Sequence, residues 1–167
     1  PKIDEFLADL HRRDISTYLV TNGQHPKAIE ELRPITQLYV SVDASTPETL
    51  EAIDRPLFSD AWERLRYSLK CLKDKGQRTV ARLTVVKGWN SDDISGYAKL
   101  IALGHCSLVE VKGVTFCGKS DASNLNMSNS PWHHEVVGMV RTLQQELQKI
   151  RDETPEGQEK IPEYGLA

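Results

Sequence analysis

Gln37-Leu38-Tyr39-Val40-Ser41-Val42-Asp43-Ala44 decides how this chain folds. Strand residues alternate between two faces, so Leu38, Val40 and Val42 share one side while Tyr39, Ser41 and Asp43 share the other. One face is aliphatic, and the other turns polar toward the carboxyl end. Three further stretches follow the same plan: Ile15–Asn22, Thr79–Lys87 and Leu108–Gly113. In the third strand Ala81, Leu83 and Val85 oppose Arg82 and Thr84; in the fourth Val109 and Val111 oppose Glu110 and Lys112. An outer apolar face and an inner polar one suit a barrel that packs helices outside and holds a ligand within. The carboxyl ends of parallel strands face the active site in such folds, so the polar strand ends mark a site as well as a fold.

Amphipathic segments alternate with the strands. Ile3, Phe6, Leu7 and Leu10 share a helical face, and Pro26 opens a short helix through Leu32 that stops before Pro34. Ser59 and Asp60 are cap candidates for a helix over 61–75, striped by Trp62, Leu65, Leu69 and Leu72 and ended by Gly76. Ser91 is a cap candidate for the next, with Ile94, Tyr97, Ala98 and Ile101 inward and Gly104 closing it. Ser130-Pro131 precedes the last, whose buried side is Val136, Val140, Leu143, Leu147 and Ile150. A helix followed by four strand–helix units predicts an α/β fold with a parallel sheet. Four units are too few for an eight-stranded barrel, so the expectation is a partial (β/α) barrel over residues 1–151, with further strands upstream. Residues 152–167, rich in Glu, Lys and Pro at their start, are expected to form a solvated tail.

Bulk properties narrow the function. A net charge of −3 argues against a general polyanion binder, though basic positions exist at Arg12-Arg13 and around Lys70, Lys73, Lys75 and Arg78. No apolar run approaches the ~20 residues that span a bilayer, and no signal peptide opens the chain, so the expected compartment is the cytoplasm. Cys71, Cys106 and Cys117 are too widely spaced for a zinc or redox motif and read as reduced thiols.

Candidate site residues follow from the polar strand ends. Asp43 is a ligand carboxylate or a turn former. Arg82 pairs with Glu110 or binds an anion, and Lys112 is either ion-paired or a carbonyl-reactive lysine. The connection from Gly113 to Pro131 has the length and Gly/Ser/Asn content of a lid, and Trp132, His133 and His134 follow it. Two adjacent histidines diverge on a helix, so a shared metal is not expected.

Six strings carry a resemblance: Ile15–Asn22, Thr36–Ala44, Ile53-Asp54-Arg55-Pro56-Leu57-Phe58, Gln77–Val80, Arg82–Asn90 and Glu110–Thr115. With them the chain resembles radical S-adenosylmethionine enzymes, and within these the eukaryotic family that makes 4-demethylwyosine during wybutosine synthesis in tRNA. The resemblance implies condensation of N1-methylguanosine in phenylalanine tRNA with carbons from pyruvate. It also implies a 4Fe–4S cluster, S-adenosylmethionine, an external electron donor and FMN in a further N-terminal domain. Asn22, Ser41, Asp43, Arg55 and Arg82 match cofactor-lining positions; Lys87, Asn90 and Trp132 fall on the substrate side, and Glu110 and Lys112 are the catalytic candidates. The family's Cys-x-x-x-Cys-x-x-Cys is absent from the chain, which on its own is therefore expected to be inactive. The pyruvate-binding lysine is expected upstream. Two other readings stay open: a non-catalytic truncated paralogue that binds tRNA or cofactor, and a class I aldolase-like barrel using Lys112.

Overall fold

A computed structural model describes residues 2–119 and 123–166. Its elements run α1 (Ile3–Arg12), β1 (Tyr18–Thr21), α2 (Pro26–Glu31), β2 (Gln37–Ser41), α3 (Pro47–Asp54), α4 (Ala61–Asp74), β3 (Thr79–Val85), α5 (Ile94–Gly104), β4 (Leu108–Gly113) and α6 (His133–Glu153). The four strands form one parallel sheet in the order β1-β2-β3-β4. The partial parallel barrel is thus the observed fold.

The aliphatic face drives this arrangement. Leu38, Val40, Val42 and Ala81 are fully buried, with Leu83 and Val85 almost so. Burying such a side chain contributes roughly 1.5–3 kcal/mol, so this face supplies much of the stability. Helices α2, α4, α5 and α6 lie in sequence against one another, and Leu65, Leu69, Tyr97, Ile101, Leu143 and Leu147 meet the strands in the same core.

On the opposite face the register builds layers. Val20, Tyr39, Val80 and Leu108 align across the strands; one step toward the carboxyl ends lie Ser41, Arg82 and Glu110, and beyond them Thr84 and Lys112. An apolar floor therefore leads up to a charged mouth.

Several local expectations are corrected. Neither Ser59 nor Asp60 caps α4 through its side chain; Asp60 instead receives Arg64 Nε at 2.7 Å. Asp93, not Ser91, caps α5 by accepting Gly96 N–H at 2.9 Å. That helix ends through His105 in the left-handed conformation (φ 44°), one residue past Gly104. Trp132 holds the N-cap of α6, with the Glu135 carboxylate accepting its N–H at 2.8 Å, so the helix starts after Pro131. Helix α3 lies between β2 and α4, where no apolar stripe announces it. Thr46 caps it by accepting Thr49 N–H at 3.2 Å, and Pro47 fixes its first turn.

The tail is exposed over residues 155–160 but then docks. Ile161 is buried in the core, Tyr164 O–H donates to the Cys106 carbonyl at 2.5 Å, and Gln144 Nε2 donates to the Tyr164 carbonyl at 2.7 Å. Arg151 adds a hydrogen bond to the Ile161 carbonyl. Ile161, with these hydrogen bonds and Tyr164 packed against the core, anchors a segment that opens with polar residues.

Candidate active site

Asp43 lies just past the end of β2 and is held from three sides. Its Oδ1 accepts Thr84 N–H at 2.7 Å; its carbonyl accepts Asn90 Nδ2 at 2.8 Å and Tyr97 O–H at 3.2 Å. Burial pushes the Asp43 pKa up, against the Thr84 N–H and the positive charges of Arg82 and Lys112. The result is a rigid carboxylate with oxygen capacity to spare, facing the mouth.

Arg82 donates from Nε to Glu110 Oε1 at 3.0 Å, the pair set side by side by the β3–β4 register. Glu110 therefore pairs across the sheet rather than along its own strand with Lys112. Lys112 stands half-buried beside Thr84, near enough to Asp43 to lower its pKa. The β3–β4 side of the mouth is thus cationic around Arg82 and Lys112.

The β1–β2 side differs. There Asn22, Gln24, Ser41, Asp43, Asp54 and Phe58 line a cleft of about 450 Å³. Asn22 Oδ1 accepts Gln24 N–H at 3.2 Å, and Gly23 between them adopts φ +73°, so the β1 end turns sharply into the cleft wall. Asp54 is an exposed residue, yet desolvation of its carboxyl beside the cleft and the Asp43 charge raise its pKa to about 6. Phe58 is pinned by the Arg64 guanidinium 3.9 Å above its ring and by His25 edge-on at 5.7 Å.

Asn90, Lys87, Trp132 and Arg55 are not among the residues that line this cleft. Asn90 is buried, and its amide is engaged by backbone: Nδ2 donates to the Asp43 and Thr84 carbonyls and Oδ1 accepts Val86 N–H at 2.7 Å. It braces the ends of β2 and β3 instead of presenting its amide to the mouth. Lys87 forms an ion pair with Glu135, which lowers the Glu135 pKa, and its backbone joins Asn129 at 2.8 and 3.0 Å. These bonds tie the long connection to the end of β3; residues 120–122 within it lie outside the described residues. Trp132 is exposed at the start of α6, and Arg55 ends α3 in the left-handed region (φ 46°). The sequence reading gave no site role to Asp54, Gln24 or Tyr97, although Asp54 stands in the Ile53–Phe58 string and Tyr97 was expected to face inward.

Cys71 is half-buried on α4, Cys106 is buried ahead of β4, and Cys117 is exposed in the connection. Among the described residues no group of three or more His, Cys, Asp or Glu could hold a metal ion. A cluster-binding site is not among them. Nor is any helix among the described residues long and apolar enough to cross a membrane.

A parallel half-barrel with a polar mouth at its strand ends is the scaffold of a radical enzyme core, and residues 1–101 match the radical SAM superfamily, to which the chain belongs. Residues 104–157 match the family described as wyosine base formation. Over 143 residues the chain is 62% identical to the S-adenosyl-L-methionine-dependent tRNA 4-demethylwyosine synthase of Oryza sativa subsp. japonica. It is 57% identical over the same length to the corresponding TYW1 synthase of Homo sapiens. These matches cover 86% of this chain but only 22% and 20% of those proteins, so the chain spans about a fifth of their length. Among solved structures, a TYW1 with a lysine-pyruvate adduct bound superimposes with a TM-score of 0.78 at 28% identity, and an archaeal TYW1 with 0.69 at 26%. Each covers 87% of this chain and 45% of the solved one. Superfamily membership implies S-adenosylmethionine and a 4Fe–4S cluster for the group in general.

Proposed function

We propose that this chain is the part of a tRNA 4-demethylwyosine synthase that forms one wall of its cofactor and substrate mouth. The observation that carries the reading is the division of that mouth into an acceptor side at Asp43 and a cationic side at Arg82 and Lys112. S-adenosylmethionine, given an electron by a reduced cluster, would supply the hydrogen-abstracting radical chemistry, and Asn22, Ser41 and Asp43 are the residues that would hold it. Asn22, Ser41 and Asp43 offer amide, hydroxyl and carboxylate groups to its hydroxyl and ammonium donors. Arg82 and Lys112 suit the carboxylate of pyruvate or a phosphate of the tRNA. Glu110 orients Arg82, and Arg55 and Trp132 contribute at the rim. The work of these residues is to bind, orient and exclude water. FMN and an external electron donor belong to this proposal as parts of the whole enzyme.

A second reading concerns Lys112 itself. It lies on the inner face of the sheet, and a solved relative carries a lysine-pyruvate adduct. In this reading Lys112 forms the Schiff base instead of a lysine outside the chain. Borohydride trapping of pyruvate on the full-length protein, followed by peptide mapping, separates the two: label on Lys112 supports the second reading, and label elsewhere excludes it.

The test of the main proposal is product formation. Full-length protein with a reduced cluster, S-adenosylmethionine, pyruvate and N1-methylguanosine-containing phenylalanine tRNA should yield 4-demethylwyosine by mass spectrometry of the nucleosides. Asp43→Asn and Arg82→Ala should each remove it. Full turnover by both variants would sink the assignment of the mouth.

A further inference from the structure

Two indoles stand at the carboxyl ends of β3 and β4. Trp89, in the turn after β3, is 41% exposed, and Trp132, at the N-cap of α6, is 71% exposed. A single exposed apolar side chain is ordinary and by itself decides nothing. What sets these two apart is a backbone that is firmly held while the rings stay open to solvent. The Trp89 N–H donates to the Val86 carbonyl at 3.0 Å, and the next residue is Asn90, whose amide is locked onto the Asp43 and Thr84 carbonyls. The Trp132 N–H donates to Glu135, Glu135 pairs with Lys87, and the Lys87 backbone joins Asn129. Pro131 packs so closely on the end of β4 that a Cβ on Gly113 would lie 2.9 Å from its Cγ. Both tryptophans therefore belong to one braced rim on the β3–β4 side of the mouth.

The chemistry around the rings selects the partner. Among the described residues from Gly113 to His134 there is no carboxylate, while Lys119, His133 and His134 are present. The Glu135 carboxylate that follows is already engaged by Lys87 and by the Trp132 N–H. Arg82 and Lys112 make this side of the mouth cationic, which complements a nucleic acid. A protein partner would call for a contiguous apolar face, whereas the exposed neighbours of Trp132 include His133, His134 and Ser128. An unpaired nucleobase needs only a flat ring and tolerates polar surroundings.

We propose that Trp132, with Trp89, forms a stacking platform for an unpaired base of the tRNA, that of a nucleotide next to the guanosine that enters the mouth. This rests on the tRNA reading given above. A guanosine drawn out of its stack leaves its neighbour with one face uncovered, and an indole on the rim covers that face. The platform offsets part of the cost of unstacking and sets which nucleotide reaches the strand ends. An aromatic ring has few rotamers to lose, so little ordering entropy opposes the contact. Asn90 braces both the Trp89 turn and the Asp43 backbone, which fixes the platform relative to the acceptor side.

Fluorescence anisotropy with the full-length protein tests this without turnover. The probes are labelled anticodon stem-loops of phenylalanine tRNA that carry N1-methylguanosine, either intact or with an abasic site at one of the two flanking nucleotides. Wild type should lose roughly tenfold in affinity when one of these flanking bases is removed, the scale of a single base–aromatic stack. Trp132→Ala should lose the same factor on the intact stem-loop and nothing more on that abasic one, while Trp132→Phe should keep most of the affinity. The dependence of affinity on salt should have the same slope in wild type and Trp132→Ala, because stacking releases no counterions. An unchanged melting temperature controls for folding. Equal affinity of Trp132→Ala and wild type for the intact stem-loop overturns the proposal. So does a Trp132→Ala variant that still loses the full factor at each abasic site. A shallower salt slope in Trp132→Ala overturns it as well, since the residue would then support phosphate contacts. Failure of wild type to bind any stem-loop would instead remove the tRNA reading, and the platform with it.

Discussion

The Asn90 side chain bridges Asp43 to β3: Nδ2 donates at 2.8 Å to the Asp43 carbonyl and at 2.9 Å to that of Thr84. The backbone that carries the Asp43 carboxylate is thus braced by an amide four residues beyond Val86, whose N–H the same side chain accepts. Asn90→Ala would strand buried backbone groups at the ends of two strands, and a loss of about 2–4 kcal/mol is expected. Urea unfolding should show a lower midpoint with an unchanged slope. A midpoint equal to wild type would show that the bridge does not hold these strand ends.

Arg82→Ala should behave differently. The Arg82 and Glu110 side chains are 30% and 43% exposed, so solvent screens the pair and its removal should cost less than about 1 kcal/mol. A double-mutant cycle with Glu110→Gln measures the coupling. A coupling of several kcal/mol would make the pair a structural element.

The pH dependence of stability carries the signature of Asp54. Its folded pKa of about 6 lies above the ordinary value of 3.8, so between those limits the folded state binds more protons than the unfolded. Stability is therefore greatest below about 4 as far as this group is concerned, and falls as pH rises toward 6. Asp54→Asn should flatten that slope and raise the urea midpoint at pH 7. A variant curve parallel to wild type across the window would remove the desolvation argument.

Gly23 is the turn on which the cleft wall hinges. A Cβ there would lie 3.1 Å from Leu65 Cδ1 and 3.4 Å from Val40 Cγ1, on a backbone at φ +73°. Gly23→Ala should lose about 1–2 kcal/mol from the backbone conformation, with crowding added. Thermal unfolding reads the loss, and an unshifted transition would contradict it.

The docked tail predicts a local effect. Ile161→Ala removes the one buried apolar side chain among the described residues beyond α6 and should cost about 2 kcal/mol or more. Hydrogen exchange should accelerate over residues 158–166. Unchanged protection would mean that Tyr164 and Arg151 hold the segment by themselves.

The alternation in Leu38-Tyr39-Val40-Ser41-Val42-Asp43 was enough to specify a strand, its buried face and the polar face that carries the site, because a strand's period of two is a local property. Three more strands of that kind, with helices between them, left a parallel sheet as the natural solution, and Asp43, Arg82, Glu110 and Lys112 fall on the inner face that the alternation assigns them. Helix α3 escaped because Pro47–Asp54 buries only Leu50, so it leaves no stripe to read. Asn90 resembled a ligand residue in the sequence and became a brace once folded, since its partners lie 47 and 6 residues away. Asp54 and Gln24 could not be matched with Asp43 from sequence, because three separate connections bring them to one cleft. Local patterning determined which residues face inward; which of those inward groups meet, and which remain without a partner, was decided only when the chain packed, because contacts between distant segments depend on how the sheet and its helices close around them.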